Sequence, residues 1–439
     1  MNIAMLHDSI GDFTGGSGES TLRFAELLKK RGHKIIFIGS RCPGKKKIDY
    51  WRGIKRYRAP SIPFQKEKSR NFYLALPSGK YLENIFKKEN IQILHVAFPF
   101  VAAVRSIAVA RKMGIKVIIH SHFQPENFFL NVHKSLNNSN LNKIMYNYII
   151  SLYKKADIIV CPSKFAEKSL KSRNNNFKTI VISNGVDLSK FKLTKQKKSK
   201  KFPKLLFTGR FDPEKNIDTL IRAVPILLEK FPNLRADLVG GGSLIKKFRR
   251  LVKKLKIRDY VKIHGKISSK ELIKRYAKCD IFVQPSQAEL EGMVILEALA
   301  CGKPVVVANS KESAARFLVK KNGLLFKLKD SQDLAKKITF IAENKKVMKE
   351  MHKNALSFIR NFDINASITK MEGVYNYVLR KKSKPVRIKK ERKGYKELVA
   401  NLIKIAKSID LMHHFNKNTI KIRDYLISLT KISISFKGK

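Results

Sequence analysis

Carboxylates are scarce in this sequence. Its 439 residues hold 34 Asp and Glu against 92 Lys and Arg, for a formal net charge of +58. A chain this basic is drawn to polyanions such as nucleic acid, anionic lipid or phosphorylated substrates. Lys, Ile and Asn are abundant throughout, however, as a nucleotide-biased genome would produce without functional cause, so charge alone selects no partner. Cysteine is sparse as well. Cys42, Cys161, Cys279 and Cys301 show no metal-ligand spacing, and each is expected to be reduced and buried. No run of about 18 apolar residues occurs, which argues against a membrane-spanning helix. The opening "MNIAMLHDSIGDFTGG" lacks the basic-then-apolar layout of a secretory leader, so a cytoplasmic protein is expected. No Gly-x-Gly-x-x-Gly follows the first strand with an acid about 20 residues on, which disfavours an NAD-dependent dehydrogenase. No Asp-x-Asp element and no third histidine ligand suggest a metal, so none is expected.

What the sequence does have is alternation. "NIAML" (2–6), "KIIFIG" (34–39), "IQILHV" (91–96), "KVIIHSH" (116–122), "ADIIVCPS" (156–163) and "KTIVISNG" (178–185) are short apolar runs. Helix-like segments separate several of them; "ESTLRFAELLKKRGH", for instance, sets Leu22, Ala25 and Leu28 on one face before a stop at Gly32. Fully apolar strands alternating with helices predict a parallel sheet covered on both faces. The charged segment 192–204 breaks the pattern and reads as a linker. The alternation then restarts with "LLFTGRF", "RADLVGGG", "YVKIHG", "DIFVQPS" and "PVVVAN". The expectation is an α/β protein of two Rossmann-like domains, 1–191 and 205–365, with a ligand at the C-terminal strand ends in a cleft between them. A helix over 366–380 is expected to cross back to the first domain.

Residues 381–439 change character, with 17 basic against 4 acidic residues, a balance of +13. Tyr395, Leu398, Val399, Leu402, Ile405, Ala406, Ile409 and Met412 follow helical spacing, with Lys396, Lys404 and Lys407 elsewhere on the wheel. A basic amphipathic helix reads as membrane-surface binding. Such a stripe packs onto a protein's own domains more often still.

Four groups of residues carry candidate chemistry. Gly15 and Gly16 follow the first strand, where backbone N–H groups can face an anion; an ordinary tight turn would use the same residues. Arg210 and Lys215 in "TGRFDPEKN" sit after the first strand of the second domain, placed to hold a diphosphate, though Arg-Lys pairs are common in so basic a chain. Glu289 lies in the loop after "DIFVQPS", and Glu297 one or two turns into the next helix. Both can reach one ligand lying across that helix's N-terminus, where a carboxylate accepts from sugar hydroxyls and N–H groups meet a phosphate. A capping acid and a solvated helix face are the plain alternatives. His122 ends a buried strand in "HSHFQPE", with His120 alternating beside it; either can be a structural histidine.

Together these residues resemble the family 4 glycosyltransferases, which have the GT-B fold. The resemblance runs from the first strand to about residue 380. It rests on "GRFDPEKNIDTLIRA", "LVGGGS", "VKIHGKISSKEL", "CDIFVQPS" and "ELEGMVILEALACGKPVV", with "GGSGESTLRFAELLKKRGH", "ADIIVCPSKFAEKSL" and "VISNGVDLSKF" in the first domain. It implies that Glu297 bonds the donor's ribose and that Glu289 lies at the transferred sugar, near the reacting carbon. Arg210 and Lys215 hold the diphosphate, and Gly16 contacts donor phosphate or acceptor. His122 lies near the donor sugar, and backbone amides around Gly292, Met293 and Val294 bind sugar hydroxyls or phosphate. It further implies a retaining, metal-independent transfer with no cofactor, the nucleotide sugar being a substrate.

"HFQPENFF" is similar to the lipid-modifying members of that family. The expected function is therefore transfer of a hexose from a UDP- or GDP-linked donor to a membrane-associated lipid, with the enzyme peripheral on the inner face of the cell membrane and no specific nucleic-acid partner. A soluble glycan or polysaccharide acceptor is the alternative, as is a non-catalytic polyanion-binding protein on the same scaffold. If the basic tail meets the membrane, deleting 381–439 weakens binding to anionic liposomes; unchanged binding would assign the tail elsewhere.

Overall fold

The computed structural model describes residues 1–381 other than 9, 11–14, 68–69, 133–138, 175 and 192–202. Most of the expected linker, and the tail beyond Lys381, lie outside the described residues. The chain divides into two units: Met1–Ile182 with the described residues from Ile368 on, and Ser183–Ser367.

The first unit is built on an eight-stranded sheet. Its strands run in the order Thr179–Val181, Ile158–Cys161, Lys116–His120, Ile93–Val96, Asn2–Leu6, Lys34–Ser40, Ile54–Ala59 and Ile48–Trp51. All neighbours are parallel except the last two, which form an antiparallel pair. Periodicity does not reveal that pair, because its sequence, "IDYWRGIKRYRA", reads as charged loop. Arg56 and Arg58 are nevertheless buried. Asp49 reconciles the two guanidinium groups with burial, accepting from Arg56 Nε at 2.7 Å and Nη2 at 2.8 Å and from Arg58 Nε at 3.0 Å. The carbonyls of Ile10 and Ser40 accept from the remaining sides of Arg56 and Arg58. Buried charges persist only when paired in this way.

The strand expected to reach His122 stops at His120, and a helix, Pro125–Val132, begins shortly after. Proline at that helix's first position suits its start, where the missing N–H has no partner to lose. Three of the cysteines are buried as expected, and Cys42 is half-buried.

The second unit is a six-stranded sheet in the order Val261–His264, Arg235–Val239, Lys204–Thr208, Ile281–Gln284, Val305–Asn309 and Gly323–Lys327, parallel throughout. Side chains alternate between two apolar layers. Leu205, Phe207, Ile281, Val283, Val306 and Ala308 pack on one face with helix Ile217–Lys230 and helix Ser331–Glu343. Leu206, Phe282, Val305 and Val307 pack on the other with Tyr276, Ile295 and Leu299. A strand covered on both faces is apolar at nearly every position, which is why these segments read as near-continuous hydrophobic runs.

The chain starts this sheet at Lys204–Thr208, builds outward to Val261–His264, then returns to the other side at Ile281–Gln284. The direction of winding thus reverses between two adjacent strands, and open parallel sheets bind ligands beyond the carboxyl ends at such a point. Among the described residues no helix is long and apolar enough to cross a membrane.

Gly240, after Arg235–Val239, has φ +137°, and a Cβ there would lie 1.9 Å from the Gly209 carbonyl oxygen. Gly240→Ala is expected to lower unfolding free energy by about 2 kcal/mol or more. Gly241→Ala, with open space around it, is expected to stay near wild type. Urea unfolding of both variants checks the difference.

Candidate active site

The loops leaving the two strands at this reversal carry the charged candidates. After Thr208 the chain turns through Arg210, Phe211 and Asp212 into a short 3-10 helix, Pro213–Lys215. Phe211 is fully buried and pins the turn, and its N–H donates to the Gly241 carbonyl. Arg210 and Lys215 are not isolated cations. Arg210 Nη2 donates to Glu214 at 2.6 Å, and Nη1 lies 3.1 Å from Asp212. Lys215 Nζ donates to Glu289 Oε1 at 2.6 Å. That same oxygen accepts from Gln284 Nε2 at 2.8 Å, and Gln284 Nε2 also reaches Ser286 Oγ at 2.7 Å. Burial resists ionisation of Glu289, but the Lys215 charge and the hydrogen bonds from Lys215, Ser286 and Gln284 hold its carboxyl below the ordinary range. Arg210 is also biased toward its charged form: burial opposes it, while the carboxylates of Glu214, Asp212 and Glu289 outweigh that cost. The result is an ionised cluster in which Glu289, Lys215 and Arg210 share one field.

Glu297 lies in helix Met293–Ala300 and is buried, not on a solvated face. The hydroxyl of Tyr276, itself fully buried, donates to Glu297 Oε2 at 3.0 Å and lies 2.6 Å from Thr208 Oγ1. Burial, then the Glu297 charge, push the Tyr276 hydroxyl well above its usual range, so it remains a donor. Gly292 caps the helix at φ +99°, where a Cβ would crowd Ile295 and Leu318 at 3.2 and 3.3 Å. The helix begins at Met293 and Val294, whose position in its first turn gives their N–H groups no intrahelical acceptor and makes them donors for an anion or hydroxyl.

Gly16 and His122 belong to the first unit. Gly16 opens helix Gly16–Lys30, which is capped by Gly15 without a side-chain bond. The following turns bring Ser17 Oγ within 3.1 Å of His7 Nε2 and Ser20 Oγ within 3.5 Å of His122 Nε2. His122 stacks on His120 with ring centroids 3.9 Å apart, His120 lies 5.6 Å from His95, and His95 Nδ1 is 2.6 Å from the Tyr375 hydroxyl. Burial drives these imidazoles toward the neutral form: His122 to about 3, His7 and His95 to about 4, and His120 well below its usual value. His122 is thus a neutral hydrogen-bonding group near pH 7, not a cation. Among the described residues no three His, Cys, Asp or Glu side chains converge as metal ligands would.

Lys215 and Glu289 are brought into direct contact, with Arg210 beside them. Glu297 joins through a separate network on the same helix-and-loop segment. The sequence reading missed the residues that orient them: Asp212, Glu214, Tyr276, Gln284 and Glu291. Gln284 left a trace, being a polar residue at the end of an otherwise apolar strand. Glu291 stands two residues from Glu289, and nothing in its spacing singles it out. Its buried carboxylate accepts from the Ser183 hydroxyl, from Asn184 N at 3.1 Å and from Asn184 Nδ2 at 2.6 Å. Glu291 thereby ties the loop before Gly292 to residues 183–185.

Comparison with known proteins bears on the family and the fold. Residues 14–190 match the model described as Glycosyltransferase Family 4, and residues 189–358 match that described as Glycosyl transferases group 1. The alpha-monoglucosyldiacylglycerol synthase of Streptococcus pneumoniae is 27% identical over 320 residues, covering 70% of each chain. The synthase of the same name from Acholeplasma laidlawii is 24% identical over 371 residues, covering 81% of this chain and 92% of its own. Among solved structures, Anabaena HepE in complex with UDP-glucose superimposes with a TM-score of 0.68 at 20% identity, over 85% of this chain and 99% of that one.

Glu291 also offers a pH test. Burial raises its carboxyl from 4.5 to about 7, against the hydrogen bonds from Ser183 and Asn184. The folded state therefore holds this proton more tightly than the unfolded chain, and wild type loses stability as pH rises across that interval. Glu291→Gln has no such proton. The stability gap is expected to move in the variant's favour between about pH 4.5 and about 7 and to stay constant above, as urea midpoints at each pH would report. A gap that does not move with pH would mean that Glu291 titrates normally in the fold.

Proposed function

The chain belongs to the family 4 glycosyltransferases, and from that membership we propose that it moves a hexose from a UDP- or GDP-linked donor to a membrane-associated lipid acceptor, with retention of configuration. The lipid acceptor is supported by the two monoglucosyldiacylglycerol synthases, whose names specify a diacylglycerol product. A uridine donor is supported by the UDP-glucose complex of HepE. The observation that carries the catalytic assignment is the Lys215–Glu289 contact beside Arg210, at the point where the second sheet reverses its winding.

In this reading Arg210 and Lys215 face the donor diphosphate, and their charge stabilises it as the bond from the anomeric carbon to the phosphate oxygen breaks. No metal is needed for that stabilisation. The acceptor oxygen bonds the anomeric carbon on the face the diphosphate leaves, through an oxocarbenium-like state, and its proton passes to the departing phosphate oxygen. Glu289, held ionised by Lys215 and Gln284, lies at the transferred sugar, where its charge favours the cationic state. Glu297, oriented by Tyr276, takes the ribose hydroxyls. Backbone amides at Gly292, Met293 and Val294 bind sugar hydroxyls or phosphate, Gly16 contacts donor phosphate or acceptor, and neutral His122 hydrogen-bonds the donor sugar. The enzyme works peripherally, at the inner surface of the cell membrane.

Labelled UDP- and GDP-hexoses incubated with isolated membranes test the reading, with organic-extractable product as the measure. Labelled lipid from one donor is expected. Water-soluble product alone would keep the transferase and discard the lipid acceptor. Glu289→Gln is expected to bind the nucleotide with nearly wild-type affinity and to lose turnover by about a hundredfold or more. Wild-type turnover in that variant would remove Glu289 from the reacting centre.

A further inference from the structure

Helix Ile245–Lys254 of the second unit divides its circumference in two. Phe248 and Val252 are buried in the core, with Ile245, Leu251 and Leu255 packed against it. The rest of the surface, an arc of about 160° at 3.6 residues per turn, carries Lys246, Lys247, Arg249, Arg250, Lys253 and Lys254, all exposed. The basic surface continues through exposed Lys256, Arg258 and Lys262, and Asp259 is the sole acid in residues 244–266. None of these nine cations is paired with a carboxylate among the described residues.

Two features set this helix apart from the general basicity of the chain. Several other described helices interleave acids and bases: Glu271 pairs with Arg275 at 3.0 Å, Glu167 with Lys171 at 3.0 Å, and Asp333 with Lys337 at 3.8 Å. Helix Val101–Lys112 also lacks acids, but its Arg111 and Lys112 pair with Asp157 and Glu83 from elsewhere. A compositional bias adds lysine everywhere; it does not gather six exposed cations without a carboxylate partner on one helix face. The second feature is repulsion. Lys246 and Arg250, Arg249 and Lys253, and Arg250 and Lys254 are like-charge neighbours one turn apart, a spacing that destabilises a helix. A polyanion covering this face would relieve that repulsion.

We propose that this face of the second unit is a docking surface for an anionic lipid bilayer. A lipid surface presents phosphates as a two-dimensional array, which suits a convex helix bearing point charges. A single-stranded nucleic acid calls for a groove with aromatic rings to stack its bases, and the exposed positions of this helix hold none. Because the apolar side chains point inward, the attraction is Coulombic, reversible and weakened by salt. The choice of lipid over other polyanions rests on the lipid acceptor proposed above.

The test uses the full chain and co-sedimentation with phosphatidylcholine vesicles, with and without phosphatidylglycerol, in the absence of donor and acceptor. Wild type is expected to bind the phosphatidylglycerol vesicles preferentially. Replacing Lys246, Arg249, Arg250 and Lys253 together by Gln is expected to weaken that partition roughly a hundredfold or more, at about fivefold per cation. A control replacing Lys336, Lys345, Lys346 and Lys349 removes the same charge from exposed positions of helices that also carry acids; it is expected to weaken binding less than about tenfold. Equal weakening in the two variants would show that overall charge binds the membrane and would overturn the proposal, as would indifference to phosphatidylglycerol. Tighter binding of a single-stranded RNA than of the vesicles at the same salt would overturn the lipid assignment. Transfer to a detergent-dispersed acceptor separates the two readings. The quadruple variant is expected to retain it, and a protein that binds vesicles but transfers nothing would remove the enzymatic reading while leaving the surface in place.

Discussion

The ammonium group of Lys215 rests 2.6 Å from one oxygen of Glu289, and the organisation of the second unit can be read outward from that contact. A largely buried carboxylate would ordinarily take up a proton or move toward water. Here the lysine comes from the loop after one strand and the glutamate from the loop after its neighbour. The two loops diverge because the sheet reverses its winding between those strands. The pair therefore forms only if the strand order is correct, and Gln284 and Ser286 then complete the hydrogen bonding around the carboxylate.

Charge around this pair is balanced within the protein to a degree that the composition conceals. In a chain of net charge +58, the neighbourhood of Arg210 and Lys215 holds Asp212, Glu214 and Glu289. Few acids are available, and several of them are placed here, in the buried interior of the sheet's carboxyl edge. Among the described helices, positive charge is densest on helix Ile245–Lys254, at exposed positions where no acid in the helix offsets it. Site and surface thus follow opposite electrostatic rules, one set by burial and the other by solvent.

The first unit solves a related problem with neutral groups. His7, His95, His120 and His122 lie close together beneath helix Gly16–Lys30, and burial keeps each uncharged near neutral pH. Four cationic imidazoles in that volume would repel one another. Neutral rings can approach one another, as His120 and His122 do in stacking, and keep their hydrogen-bonding capacity. The Tyr375 hydroxyl, from the helix Ile364–Arg380, anchors this row at His95.

Most of the parallel strands were legible from sequence, because a strand buried on both faces is apolar at nearly every position and such runs are conspicuous. Glu289, Glu297, Arg210 and Lys215 were legible as candidates because they follow those strands or begin the next helix. The paired edge strands Ile48–Trp51 and Ile54–Ala59 were not, since their buried arginines look like loop until Asp49 is found between them. Nor were the partners. Tyr276 meets Glu297 across 21 residues of chain, Lys215 meets Glu289 across 74, and Asn184 meets Glu291 across 107. By itself, then, the sequence determined the alternating α/β pattern and the residue types at the strand ends, both of which follow from local periodicity. Only the tertiary structure decided which charges neutralise one another and which histidines stay uncharged, because ionisation depends on burial and on neighbours that local sequence does not specify.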